Sequence, residues 1–157
     1  MRRLVSALLV AAAATVLAGC SPIVNMTPPP PDANNPACAD VIVRLPKDVG
    51  GFPKRTTDAQ STAAWGEPTV LLLYCGVPVP GPSELRCVAP GDIHWLVEEL
   101  DAGFAFTTYG RDPAVRVVVD NERLGTGIAL RELGNAVGTL PMNGRECLDI
   151  QDVVPTG

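Results

Sequence analysis

Residues 93–119 read IHWLVEELDAGFAFTTYGRDPAVRVVV. Three strand-like runs stand here, separated by two turn signals. Ile93 to Val97 and Phe104 to Tyr109 are predicted strands around an Asp101-Ala102-Gly103 turn. Asp112-Pro113 makes the next turn, and Val115, Val117 and Val119 then alternate with Arg116 and Asp120. Upstream, Thr69 to Tyr74 (TVLLLY) is apolar on both faces and suits a central strand. Val41, Val43 and Leu45 alternate with Ile42 and Arg44, which predicts a first strand ended by Pro46. Asp58 to Trp65 predicts a short Ala-rich helix, closed by Gly66 and Pro68. Downstream, Ala129, Leu130, Leu133, Ala136, Val137 and Leu140 recur at helical spacing and predict a helix over residues 126–140. The order β-α-β-β-β-β-α predicts an α+β fold. It is expected to be a two-layer sandwich with a mainly antiparallel sheet of four to five strands, one long C-terminal helix and a short helix after the first strand.

The chain has 157 residues, 12 Lys+Arg, 17 Asp+Glu and a single His. One compact domain is the ceiling at this length. An isoelectric point near 4.7 argues against a nucleic-acid partner, which needs a basic face. One His excludes a multi-histidine metal site, and no cofactor is expected.

Arg2 and Arg3 precede a nearly unbroken Ala, Leu and Val run from Leu4 to Leu17. The run is too short to span a bilayer core of roughly 20 helical residues and reads as a signal-peptide core. It ends in Leu17-Ala18-Gly19-Cys20, which resembles the lipobox of bacterial lipoproteins. That resemblance implies a diacylglycerol, with further acylation such as palmitate, on Cys20, cleavage after residue 19, and export. The expected location is the extracytoplasmic face of the cell membrane. The mature chain would keep ten basic against 17 acidic side chains, a net of −7. Such a chain is not drawn to anionic lipid by charge, so the acyl chains must hold it. Residues 20–37, with prolines at 28–31, read as a lipidated, extended spacer, and residues 38–157 as a disulfide-stapled domain.

Four cysteines remain: Cys38, Cys75, Cys87 and Cys147. An even number in an exported domain implies disulfides, with three connectivities open. Cys75–Cys87 and Cys38–Cys147 are the favoured pairs, one closing a short Pro-Gly loop and one tying the domain's start to its end. The spacings lack the paired knuckles of a zinc site.

Residues 63–68 (AAWGEP) and 73–78 (LYCGVP), with Leu45-Pro46, Trp95 and residues 107–111 (TTYGR), resemble an actinobacterial lipoprotein family. It is catalogued as a domain of unknown function, number three-five-one-five. The resemblance implies the same location and an outer-plus-inner cysteine layout. It implies no activity. Tyr74 and His94 depart from the family's pattern, which tends to Arg and Asp there.

His94 is the only conventional proton shuttle, with Asp92 two residues earlier, and no nucleophile elbow accompanies it. Glu98 and Glu99 are adjacent, so in a strand they point to opposite faces; Asp149 and Asp152 lie in the tail. Arg supplies eight of the ten basic residues of the mature chain, and Arg forks suit carboxylate or phosphate. Candidate ligand-binding residues are Arg44, Arg111 and Arg116, if they converge, together with His94 and Trp95. Trp65 and Trp95 also read as core anchors. The Pro-Gly loop between Cys75 and Cys87 is the candidate interaction loop. The expected function is a binding or accessory module of the cell envelope, with an envelope protein or an anionic envelope component as partner. The alternatives are an envelope hydrolase using His94 and a structural spacer.

Overall fold

The computed structural model describes residues 22–148. Residues 1–19, expected to be a signal peptide, and Cys20, Asp149 and Asp152 lie outside the described residues. The elements are α1 (Pro36–Arg44), β1 (Asp48–Val49), β2 (Phe52–Arg55), β3 (Thr62–Trp65), β4 (Leu71–Val77), β5 (Cys87–Val88), β6 (His94–Leu100), β7 (Gly103–Tyr109), β8 (Ala114–Val119) and α2 (Thr126–Val137). The strands form one sheet in the order β1-β2-β3-β4-β8-β7-β6-β5, with every neighbouring pair antiparallel. The α+β class and the antiparallel sheet match expectation. Eight strands replace the four or five expected, because the short β1, β2, β3 and β5 extend the sheet at both sides.

Residues 93–119 form the predicted three-stranded meander. β8 then pairs with β4, so the apolar β4 becomes an interior strand. Period-two alternation divides the sheet into two faces. Leu71, Leu73, Val115, Val117, Phe106 and Trp95 belong to the packed face, where α1 and α2 complete one core cluster. Tyr74, Arg116, Thr107, Glu98, Leu96 and His94 belong to the other face.

Two elements differ from the sequence reading. Residues 36–44 are helix, which replaces the strand expected over residues 41–45. Asn35 accepts the Ala37 N–H at 3.0 Å as N-cap, and Pro36 occupies the first turn, where its missing N–H costs nothing. Cys38, Val41 and Leu45 are the residues buried, and their spacing is helical rather than alternating. Residues 58–65 are a turn followed by β3, because pairing with β4 buries Thr62, Ala63, Ala64 and Trp65 together. Burial in the sheet outweighs the helix propensity of alanine.

The spacer reading of residues 20–37 also changes from Pro22 onward. Val24 forms a parallel bridge with Thr57, Met26 is buried, and its N–H bonds Asp58 Oδ1 at 2.6 Å. The Pro22 carbonyl accepts from Arg55 Nη2 at 2.6 Å, and the Asp32 N–H donates to the Gly76 carbonyl at 2.9 Å. The segment is therefore laid along the domain. Met26 and Ala33 are its apolar anchors.

Thr108 is fully buried at the β7–β8 turn, where its Oγ1 accepts the Val115 N–H at 2.9 Å. Thr108→Val leaves that buried N–H without an acceptor. The expected loss is about 1–3 kcal/mol, read as a lower denaturation midpoint at unchanged m-value.

Candidate functional site

The favoured disulfide pairing is overturned. Cys38 bonds Cys75 and Cys87 bonds Cys147, with Cα–Cα distances of 5.6 and 5.5 Å. Topology supplies the reason. β8, β7 and β6 lie between β4 and β5, so Cys75 and Cys87 stand four strand spacings apart, roughly 19 Å. A disulfide tolerates a Cα separation of about 7 Å at most. Cys75 is on the packed face, where α1 brings Cys38 to it. Cys87, opposite Leu96 in the ladder, is on the other face, where residues 141–147 arrive. The Pro-Gly loop is therefore not closed on itself; its two ends are held by different disulfides.

The C-terminal stretch makes one wall of a cleft at the His94 end of the sheet. The Met142–Arg111 bridge and the Asn143 N–H donated to the Gly110 carbonyl at 2.9 Å dock it beside β7. The Cys147 N–H then donates to His94 Nδ1 at 2.7 Å, and the disulfide to Cys87 clamps the stretch in place. His94, Tyr109, Arg111, Arg145 and Glu146 surround a cavity of about 180 Å³. Asp92 and Arg111 also border an adjoining cavity of about 490 Å³, which reaches Arg131 and Asn135 on α2.

His94 and Arg111 are thus brought together, as the sequence left open. Arg111 is only 8% exposed, and its Nη1 donates to the carbonyls of Leu140 at 2.7 Å and Gly138 at 3.3 Å. Gly138 is the C-cap of α2 and Leu140 lies just past it, so the guanidinium sits at the negative pole of that helix. His94 accepts a backbone N–H at Nδ1, which places its ring proton on Nε2 in the neutral form. A triad histidine is oriented the other way, donating from Nδ1 to an acid and accepting at Nε2.

Arg116 and Arg44 do not join them. Arg116 pairs with Glu98 at 2.9 Å in the middle of the open face. There residues 78–85 fold over Leu96, Thr107 and Arg116 and leave a second cleft of about 310 Å³. Tyr74 lies opposite Arg116 in the ladder. Burial pushes its hydroxyl pKa up, and the Arg116 charge opposes that in part. Arg44 is on the exposed side of α1, paired with Asp40 at 3.1 Å. Trp95 is no binding platform. It is fully buried, and its indole N–H has no partner among the described residues. Sequence reasoning passed over Tyr109, Arg145 and Glu146. The signal for Arg145 and Glu146 was Cys147, since a disulfide at that position draws the preceding residues onto the sheet; Tyr109 is there as the ladder partner of His94.

A family model described as "Protein of unknown function (DUF3515)" matches residues 3–144. The chain belongs to the DUF3515 family. No curated protein and no solved structure matches it. The DUF3515 match spans the sheet, both helices and most of the cleft, including His94, Tyr109 and Arg111, and ends just before Arg145. Among the described residues no group of three or more His, Cys, Asp or Glu is arranged to hold a metal ion. No described helix is long and apolar enough to cross a membrane.

Proposed function

We propose that this protein is an extracytoplasmic lipoprotein, anchored in the cell membrane through Cys20, that serves the envelope as a binding or accessory module. The observation that supports this best is the path of residues 22–26. They run parallel to residues 55–58, with Pro22 held by Arg55 and Val24 by Thr57. Followed backward, the chain heads toward the sheet end that carries Trp65, Leu71 and Val119, and away from His94 and Tyr109. Cys20 stands two residues before Pro22, within about 7 Å of backbone. A lipid on Cys20 holds that end of the domain close to the bilayer. The cleft opens at the far end, five residues along β6 and roughly 17 Å away. Its disulfide-clamped wall reduces the ordering cost of binding. The His94 orientation favours this reading over a hydrolase.

Cys20→Ser tests the anchor. The variant is expected to leave the membrane fraction and appear as a water-soluble exported protein. Retention in the membrane fraction would overturn the proposal.

A further inference from the structure

The cavities beside His94 hold charges of both signs that are kept apart. Arg111 spends one nitrogen on two carbonyls; its Nε and Nη2 donate to no described residue, and its side chain lines both cavities. Arg145 borders the same space, and Asp92 borders both cavities. None of these three is in an ion pair among the described residues. Elsewhere Arg44, Arg55 and Arg116 each hold a carboxylate at 2.6–3.1 Å.

Opposite charges around one cavity, with no ion pair among the described residues, favour a dipolar occupant. Each end of such a ligand gains a partner without breaking an internal pair. A phosphate dianion would face Asp92 and Glu146 as well as the arginines, and an apolar molecule would strand a buried guanidinium. The cavity that Asp92, Arg111 and Arg145 all line is about 180 Å³, below the roughly 300–1,000 Å³ typical of drug-sized sites; the adjoining 490 Å³ cavity lacks Arg145. Guanidinium forks match a carboxylate in shape and charge.

Building on the binding-module reading, we infer that this cleft takes a small zwitterion, an amino acid or a dipeptide. The carboxylate lies toward Arg111 and Arg145 and the ammonium toward Asp92.

The test is a titration of the full exported Cys20→Ser chain, disulfides intact, followed by amide NMR shifts at Tyr109, Arg111 and Cys147. The probes are alanine, alanyl-alanine, acetate and ethylammonium. At least one zwitterion is expected to saturate the shifts, with acetate and ethylammonium at least about tenfold weaker. Tighter alanine identifies a free amino acid, and tighter dialanine a peptide. Arg111 also caps α2, so the exposed Asp92 and Arg145 carry the mutational arm. Asp92→Asn and Arg145→Gln are each expected to weaken the zwitterion about tenfold. Acetate binding as tightly as alanine, with Asp92→Asn silent, overturns the inference, as does the absence of any saturable shift. Either result leaves the anchored-module reading standing if Cys20→Ser has released the protein. Retention of that variant on membranes overturns the reading whatever the titration shows.

Discussion

Replacing Cys38 and Cys75 together by alanine is expected to lower stability by about 4 kcal/mol in the chain-entropy account of a 37-residue separation. At this domain size that is a fall in Tm on the order of 15 °C. The bond joins α1 to β4 inside the core, and both cysteines are fully buried. Its loss frees the first helix from the central strand and leaves the packing of Val41 and Leu45 to hold α1. Calorimetry of the oxidised variant beside the parent measures the effect; a change under about 1 kcal/mol would contradict the account. The Cys87–Cys147 bond has a sequence separation of 60, but Cys147 ends an otherwise exposed stretch. Both of its cysteines are half-buried, so a thiolate reductant reaches them first. Mild reduction followed by alkylation should label Cys87 and Cys147 before Cys38 and Cys75. The opposite order would contradict the burial argument.

The second large effect is expected at Gly110. Its φ is +94°, a region side chains rarely adopt, and a Cβ there would collide with the Arg145 carbonyl oxygen. Gly110→Ala is expected to cost roughly 1–3 kcal/mol in backbone strain alone. It should also push residues 142–147 off the sheet. The Asn143 and Cys147 amides, which donate to Gly110 and His94, should then lose protection from hydrogen exchange. Gly134→Ala is the control. A Cβ there meets nothing within 4 Å, and the position is interior to α2, so the change should stabilise by about 0.5–1 kcal/mol. Unchanged exchange at Asn143 and Cys147 in Gly110→Ala would mean the wall of the cleft does not depend on that contact.

Much of the sheet was legible in the sequence, and the reason is local. In β6, β7 and β8 the alternation, the turn residues and the short connections all agree, and each strand pairs with its neighbour in sequence. The same holds for α2, whose apolar stripe runs for three turns. Legibility failed at residues 41–45, where the strand-like alternation of Val41, Val43 and Leu45 coincided with the helical spacing of Cys38, Val41 and Leu45. It failed again at residues 58–65, where alanines that favour a helix in isolation are buried as a strand beside β4.

The candidate site was legible only in pieces. His94 and Arg111 stood out by residue type, yet Arg44 and Arg116 carried the same signal and ended in ordinary ion pairs. Nothing in residue type separates an Arg that caps a helix beside a cleft from one that pairs across strands.

The sequence by itself determined that this is an acidic α+β domain built on an antiparallel meander, with an even set of cysteines after a lipobox-like N-terminus. Those properties depend on composition and on patterns a few residues long. The tertiary structure alone decided the disulfide partners, the docking of residues 22–33 and the meeting of His94 with Arg111. Each depends on strand order. The insertion of β8, β7 and β6 between β4 and β5 moves Cys75 far from Cys87 and turns a nearby pair in sequence into two distant points in space.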